Sequence, residues 1–566
     1  MSRPEADTPT WRDVAIIVAL GALVLVPSLF TRDPWNPDEP RYAEVARAMV
    51  ATGNYLVPHL NGEVYPDKPA LFFWMSAGLM RLGVGIGSGR VIAAAFSTCT
   101  LLLVYALGRR LYDRNVGLLA AAITATTLLF AWICKYGVLD PPLTTCVVAA
   151  IVCGERALGG AGRRRGLWWL GFYAAMGLGV LFKGPVALAL PVLVMLAYGV
   201  ARRKEANKGG WWHLAGAGMF VAVVAAGMAP SLIAGGRAYA NEIVFGQTLV
   251  RFTRRASHAK PFFFFLVSWP FYLLPWSLLF PLGLAAAIKA ARNEGEHRTW
   301  LPVLWVLVIF VFFSIPTGKR ERYILSVVPA VALLVARYVV AVAEWGVSRP
   351  NWHKWLWRAT AAVGVFGAVA LVVSAFGSPA IAQRLKFEPS VVFELRALFR
   401  PATVVVAVAY SIALIVAIAY AARTMHGHRT ETQRALLVVL ATVAFSLVTD
   451  IAALPVINRF KSGRNLVEQG RAYIEAADDV CLYRDEFSGV YNLFSQRTRL
   501  PVLEEAEHLT AALGSHRRVA VIGKEGSFHK YPPAAPFHTV VVERVGSRRM
   551  AIVINWQPAH STPQPQ

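Results

Sequence analysis

The sequence predicts a polytopic α-helical membrane protein, with about 13 transmembrane helices and a small C-terminal soluble α/β domain. Three observations lead there. Of 566 residues, 56% are hydrophobic and only 16% charged, with a mean hydropathy of +0.48; soluble domains run nearer about 45–50% apolar and about 25% charged. Apolar runs of the length that crosses a bilayer, roughly 17–25 residues, recur as far as residue 454. Beyond them the pattern changes to short alternating strands.

The first run, 14–30, follows the polar stretch MSRPEADTPTWRD and has no small-residue cleavage pattern behind it, so it reads as an uncleaved anchor. Further spans are expected at 89–108, 116–134, 141–158, 167–183, 184–201, 212–234, 262–288, 300–316, 323–344, 359–377, 401–422 and 435–454. One more apolar stretch, PALFFWMSAGLMRLGVGIG at 69–87, decides the topology. If it does not cross, Arg109, Arg110 and Arg114, then Arg163 to Arg165, then Arg202 to Lys204 all face the cytosol. The later clusters around Lys289, Arg349 and Arg423 fall on that same side. Short cytoplasmic loops collect Lys and Arg, so 69–87 is expected at the outer interface. The transmembrane domain then covers 1–455, with an outer interfacial loop at 31–88, and residues 456–566 form a domain outside. Within that domain GRNLVEQGRAYIEAA reads as helical, DVCLYRD and RVAVIGK as strands, and TVVVERVGSRRMAIVIN as a hairpin, with a disordered tail at HSTPQPQ.

The net charge of +24 would point to nucleic acid on a soluble protein. Here the charge sits in short loops between apolar runs with no basic groove, so the expected partner is the lipid bilayer and no nucleic acid. The five cysteines form no CxxC pair, and four lie inside apolar runs, where cysteine acts as a small buried hydrophobe.

In this register the outer loops gather polar groups. The first holds Asp38, Glu39, Arg41, Tyr42, Tyr65, Asp67 and Lys68; Asp140 follows the third span, and Lys183 sits in the short FKGP turn. The loop VRFTRRASHAKPFFFF adds Arg254, Arg255 and His258, and PTGKRERY adds Lys319, Arg320, Arg322 and Tyr323. Two basic loops on the outer face go against the positive-inside bias. Arg and Lys at an apolar boundary suit a phosphate whose lipid tail stays in the membrane. Taken singly, Asp38 and Glu39 also suit a helix N-terminus, and Asp140 a turn before Pro141 and Pro142.

DEPRYAEVARAM, GNYLVPHLNGEVYPDKPALFFW, LD, FKGP, HAKPFFFF and GKRERYILSVVPA, in that order, resemble one branch of the GT-C membrane glycosyltransferases. The branch includes protein O-mannosyltransferases and the lipid A aminoarabinose transferases. The likeness runs over about the first 340 residues and continues more weakly into the tail. It implies transfer of 4-amino-4-deoxy-L-arabinose from undecaprenyl phosphate to lipid A phosphates at the periplasmic face of the bacterial inner membrane, with polymyxin resistance as the outcome. It also implies a divalent metal, zinc, held by Asp67 and His258; the loop reads YPDKP where the family leads one to expect glutamate before the lysine.

A polyprenyl phosphate sugar departs through an oxocarbenium-like state while its phosphate gains charge. Lys68 and Lys183 are expected to stabilise that phosphate, helped by Arg41 and Tyr323. Asp38 either orients the acceptor or acts as a base, and Asp140 anchors the amino sugar or the acceptor. Glu39, Tyr42, Tyr65, Arg254, Arg255, Lys319 and Arg320 are expected to line the substrate site. Two rivals are a protein O-mannosyltransferase-like enzyme with a hydroxyl acceptor and a polyprenyl-lipid transporter. The second should show internal repeats of its span pattern, and none is visible.

Overall fold

The computed structural model describes residues 10–202, 210–243, 260–293, 295–345, 430–484, 489–546 and 548–557. The expected spans at 359–377 and 401–422 lie outside the described residues, as do Arg254, Arg255 and His258.

Helix α1 (Trp11–Leu25) opens at Thr10 and leads through a loop to α2 (Asp38–Thr52). α2 carries its acids in the first turn, where the helix dipole favours them. A small hairpin, β1 (His59–Leu60) and β2 (Glu63–Val64), precedes α3 (Leu71–Arg81). α3 is 11 residues long, about 16 Å, against a hydrocarbon core of about 30 Å. That helix is too short to cross on its own.

The membrane body follows as α4 (Ser88–Leu111), α5 (Arg114–Thr126), α6 (Leu128–Ile133), α7 (Asp140–Gly159), α8 (Gly162–Lys183), α9 (Val186–Ala201) and α10 (Trp212–Asn241). It continues as α11 (Phe264–Tyr272), α12 (Phe280–Asn293), α13 (Trp300–Ser314), α14 (Val328–Trp345) and α15 (Thr430–Val448). Among the described residues, seven helical runs are long and apolar enough to span a bilayer: Gly85–Leu111, Asp140–Gly159, Gly162–Lys183, Trp212–Asn241, His297–Ser314, Glu321–Ala343 and Glu431–Ile451. Their outer faces leave Leu178, Leu214, Val221, Leu307 and Leu440 exposed, as lipid contact requires. α4 and α5 touch backbone to backbone: a Cβ on Gly108 would stand 2.8 Å from the Gly117 Cα, the close approach that small residues permit between membrane helices.

Two expected spans are broken. Residues 262–288 fold as α11, a 3₁₀ turn at Trp276–Leu278 and α12, because Pro270 and Pro275 withhold helix donors. Residues 116–134 divide between α5 and α6 at Thr126 and Thr127. Both hydroxyls bond back one turn, to Ala122 and Ile123 carbonyls at 2.7 Å each, which weakens a helix end. The two breaks meet: the Leu128 amide donates to the Leu274 carbonyl at 2.8 Å, and Trp276 Nε1 to Thr126 Oγ1 at 3.2 Å.

The helical run past α15 extends through α16 (Leu454–Lys461) into α17 (Arg464–Gln469) and α18 (Arg471–Ala476), so the expected boundary at 456 falls inside a helix. The soluble domain adds β3 (Asp479–Tyr483), α19 (Val490–Ser495), β4 (Val502–Leu503), α20 (Ala506–Leu513), β5 (Val519–Lys524), α21 (Glu525–Lys530), β6 (His538–Val545) and β7 (Arg548–Ile554). Its sheet runs β4-β3-β5-β7-β6, parallel across β4, β3 and β5 and antiparallel at β7 and β6. Alternate residues serve opposite faces. Val480 and Leu482 join Leu466 and Ile552 in one core, while Cys481 and Tyr483 join Leu509 and Phe528 in the other.

This domain is fastened to the first outer loop. Asp33 accepts from Asn458 (3.0 Å), Ser462 (2.7 Å) and Arg464 (2.8 Å), and Asn61 exchanges hydrogen bonds with the Leu500 amide (2.6 Å) and carbonyl (2.9 Å). Burial pushes the Asp33 carboxyl up, but Arg464, Ser462 and Asn458 outweigh it and hold it below the usual range.

Candidate active site

Four chain segments bring their polar ends to one place. α2 supplies Asp38 at its N-terminus, α7 supplies Asp140 at its N-terminus, α8 ends on Lys183, and the turn before α14 carries Arg320, Arg322 and Tyr323. α8 stops at Gly184, whose φ of 83° is open to glycine alone without strain. The FKGP turn therefore presents Lys183 at a helix end.

Arg322 joins the two carboxylates. Its Nη2 binds Asp38, and its Nε lies 3.8 Å from Asp140 Oδ2. Asp38 also holds Arg320 at 3.1 Å and Arg41 at 3.6 Å. Lys183 Nζ donates to Asp140 Oδ1 and sits 5.2 Å from the Tyr323 ring centroid. Four cations thus surround two carboxylates, leaving an excess of positive charge. Burial pushes the Asp38 carboxyl up, but the charges of Arg322, Arg320 and Arg41 outweigh it, so Asp38 stays below the usual carboxylate range. Tyr42 packs on Phe72 and Phe73, and Tyr65 packs on Phe73 beside Arg41. Burial raises both phenols well above their ordinary value.

Two expected site residues are placed differently. Glu39 turns away from the cluster into the protein. Its Oε1 accepts from Arg90 Nε (2.6 Å) and the Gly137 amide (3.0 Å), and its Oε2 from Arg32 Nη1 (2.7 Å) and the Trp35 amide (3.1 Å). Burial would raise its carboxyl, yet Arg32 and Arg90 outweigh this and bring it to about 2. It is an internal anchor, because successive residues at a helix start point in different directions. Lys319 is also turned inward: its Nζ donates to the Pro316 carbonyl at 2.5 Å and the Lys260 carbonyl at 3.3 Å. Lys68 donates to the Asp67 carbonyl at 2.8 Å, and both residues are half-buried.

Arg322 is the residue that sequence reasoning left out of the site; it stood in the basic GKRERY loop beside three residues that were named, Lys319, Arg320 and Tyr323. Arg32 and Arg90 gave no such signal, since each belongs to a different segment and meets Glu39 only in the fold. As for metal, no group of three or more His, Cys, Asp or Glu side chains able to hold an ion occurs among the described residues. Asp67 is the half of the expected pair that can be placed.

The fold has a counterpart among solved structures. ArnT from Cupriavidus metallidurans bound to undecaprenyl phosphate superposes with a TM-score of 0.76, covering 98% of this chain and 100% of that one at 20% identity. The chain shares the ArnT fold. It therefore has the polytopic GT-C architecture expected from its sequence. The archaeal oligosaccharyltransferase AglB from Archaeoglobus fulgidus matches more distantly, with a TM-score of 0.52 over 92% of this chain and 70% of that one at 11% identity. In sequence, residues 67–228 match the family model described as dolichyl-phosphate-mannose-protein mannosyltransferase. The undecaprenyl phosphate-α-4-amino-4-deoxy-L-arabinose arabinosyl transferase 2 of Sodalis glossinidius is 35% identical over 57% of this chain, and a Pseudomonas aeruginosa relative of the same description is 33% identical over 58%. The match spans 59% and 60% of those two relatives' own lengths.

Proposed function

We propose that this chain is an inner-membrane glycosyltransferase. It moves 4-amino-4-deoxy-L-arabinose from undecaprenyl phosphate to lipid A phosphate groups at the periplasmic face, giving resistance to polymyxin and other cationic peptides. The observation that carries this reading is the Asp38–Arg322–Asp140–Lys183 cluster, which gathers excess positive charge at the ends of apolar helices. A lipid-linked phosphate reaches such a place with its tail still in the bilayer.

In the transfer, the bond from the anomeric carbon to the donor phosphate breaks and a bond to an acceptor phosphate oxygen forms. The leaving phosphate keeps the bonding electrons, and Lys183 with Arg322 and Arg320 neutralises the charge it gains. Asp38 and Asp140 hold those cations in position before substrate arrives. They are also the groups that meet the sugar's ammonium. A carboxylate held below its usual range is a weak base, which suits a phosphate acceptor, already ionised near neutral pH, better than a hydroxyl. Lys68, Arg41, Tyr42, Tyr65 and Tyr323 complete the wall, with Arg254 and Arg255 proposed from the loop outside the described residues. Zinc at Asp67 and His258 stays a proposal; every step above is carried by side chains alone.

Mass spectrometry of lipid A from cells with and without the chain tests the reading. An aminoarabinose increment that depends on the chain is the expected result. The mannosyltransferase match over 67–228 supports a second reading with a hydroxyl acceptor; unchanged lipid A together with newly glycosylated secreted protein would favour it.

A further inference from the structure

A cavity opens elsewhere in the helical body, away from the cluster. It measures about 490 Å³ and lies between the end of α4, the start of α5, the end of α9, the turn before α13 and the middle of α14. α4 carries Arg90, bound to Glu39, near one end and Leu111 at this cavity near the other. Those 21 positions rise about 30 Å, the thickness of the hydrocarbon core. The basic groups Arg109, Arg110 and Arg163 to Arg165 cluster at this end, which marks the cytoplasmic face.

Three guanidiniums line the cavity: Arg202, Arg298 and Arg337. Both carboxylates in the wall are engaged. Asp113 caps α5 by accepting from the Val116 amide at 2.9 Å, and Glu296 lies 3.4 Å from Arg337 and accepts from Thr299 Oγ1 at 3.4 Å. Arg298 is exposed and forms no ion pair among the described residues. The hydroxyl of Tyr112 is buried beside Thr299. A cavity of several hundred Å³ suits a small ligand, and guanidiniums that line one cavity suit phosphate oxygens. His297 is exposed on the same wall and adds a donor.

We propose that this cytoplasmic-face cavity binds a phosphate group, carried by an inner-leaflet phospholipid or free in solution. The full chain, purified in detergent, tests it with two probes. Native mass spectrometry counts phosphatidylglycerol retained against a phosphatidylcholine control, and calorimetry titrates inorganic phosphate. At least one probe is expected to bind, with affinity falling about tenfold on Arg298→Gln and again on Arg337→Gln, as for a charge-assisted hydrogen bond lost. Retention of phosphatidylglycerol alone assigns a headgroup, and a calorimetric signal from inorganic phosphate assigns the free anion. Absence of binding by both probes, or binding that survives both substitutions, overturns the proposal. Arg298 is exposed, so Arg298→Gln leaves the fold intact even if Arg337→Gln, which strips Glu296 of its partner, lowers the melting temperature.

Discussion

Adjacent residues at the start of α2 have opposite duties, and substitution separates them. Asp38 faces the cluster, whereas Glu39 anchors the interior. Glu39→Gln leaves Arg32 and Arg90, both nearly fully buried, without a counter-charge. It should cost about 3–5 kcal/mol, read as a lower melting temperature of the purified protein. Because the Glu39 carboxyl is depressed from 4.5 to about 2, its contribution is present above about pH 4.5 and drains away as pH falls toward 2. Lys183→Ala is a different experiment. Arg322 remains 3.8 Å from Asp140, so the fold persists, while transfer should drop by about 10²–10³. Lipid A mass spectrometry and polymyxin survival would report the loss; retained resistance with the protein in the membrane would remove Lys183 from the mechanism. The depressed Asp38 carboxyl predicts no acid limb from this residue above about pH 4 in the rate profile.

At the scale of elements, α2 is a two-sided strut. One side faces the cluster, and the other meets the soluble domain at α19 through Glu44 and Arg47, with Arg47 donating to the Gln496 carbonyl at 3.1 Å. Burial lifts the Glu44 carboxyl to about 7 despite Arg47. A raised carboxyl stabilises the folded contact below about pH 4.5 and loses that contribution as pH climbs through 7. Hydrogen exchange in α2 should therefore be slower at pH 5 than at pH 8 after correction for intrinsic rates, and Glu44→Gln should flatten the difference. Most elements were legible in the sequence: α4, α7, α8 and the hairpin β6–β7 follow from apolar length or alternation. The breaks at Thr127 and Pro275 were not, because apolar content alone cannot distinguish a continuous span from two halves that mend each other's backbone. Nor was the direction of Glu39, which depends on two arginines 7 and 51 positions away.

For the molecule as a whole, the central expectation is sidedness. A cysteine placed at Asn54, exposed beyond the end of α2, should react with an impermeant maleimide in intact spheroplasts. One placed at Arg163 should react only after the membrane is opened, with Cys99, the exposed native thiol, replaced in both. Labelling of position 163 from outside would invert the topology and leave the donor phosphate on the wrong side. The gathering of Asp38, Asp140, Lys183, Arg320 and Tyr323 was readable from residue types on outer loops, since charge against an apolar background is costly. The inward turn of Glu39 and Lys319 and the part of Arg322 were not. Nor was the site's wiring, because Arg322 bridges carboxylates 284 and 182 positions away in the chain.

The hold of Asp33 on Asn458, Ser462 and Arg464 has a consequence for biogenesis. The loop that leads into Asp38 is clasped by residues more than 420 positions later. A nascent chain that has not reached residue 458, with every earlier helix inserted, lacks that clasp. Order in the loop that leads into Asp38 therefore arrives late in synthesis, once residues 458 to 464 have been made.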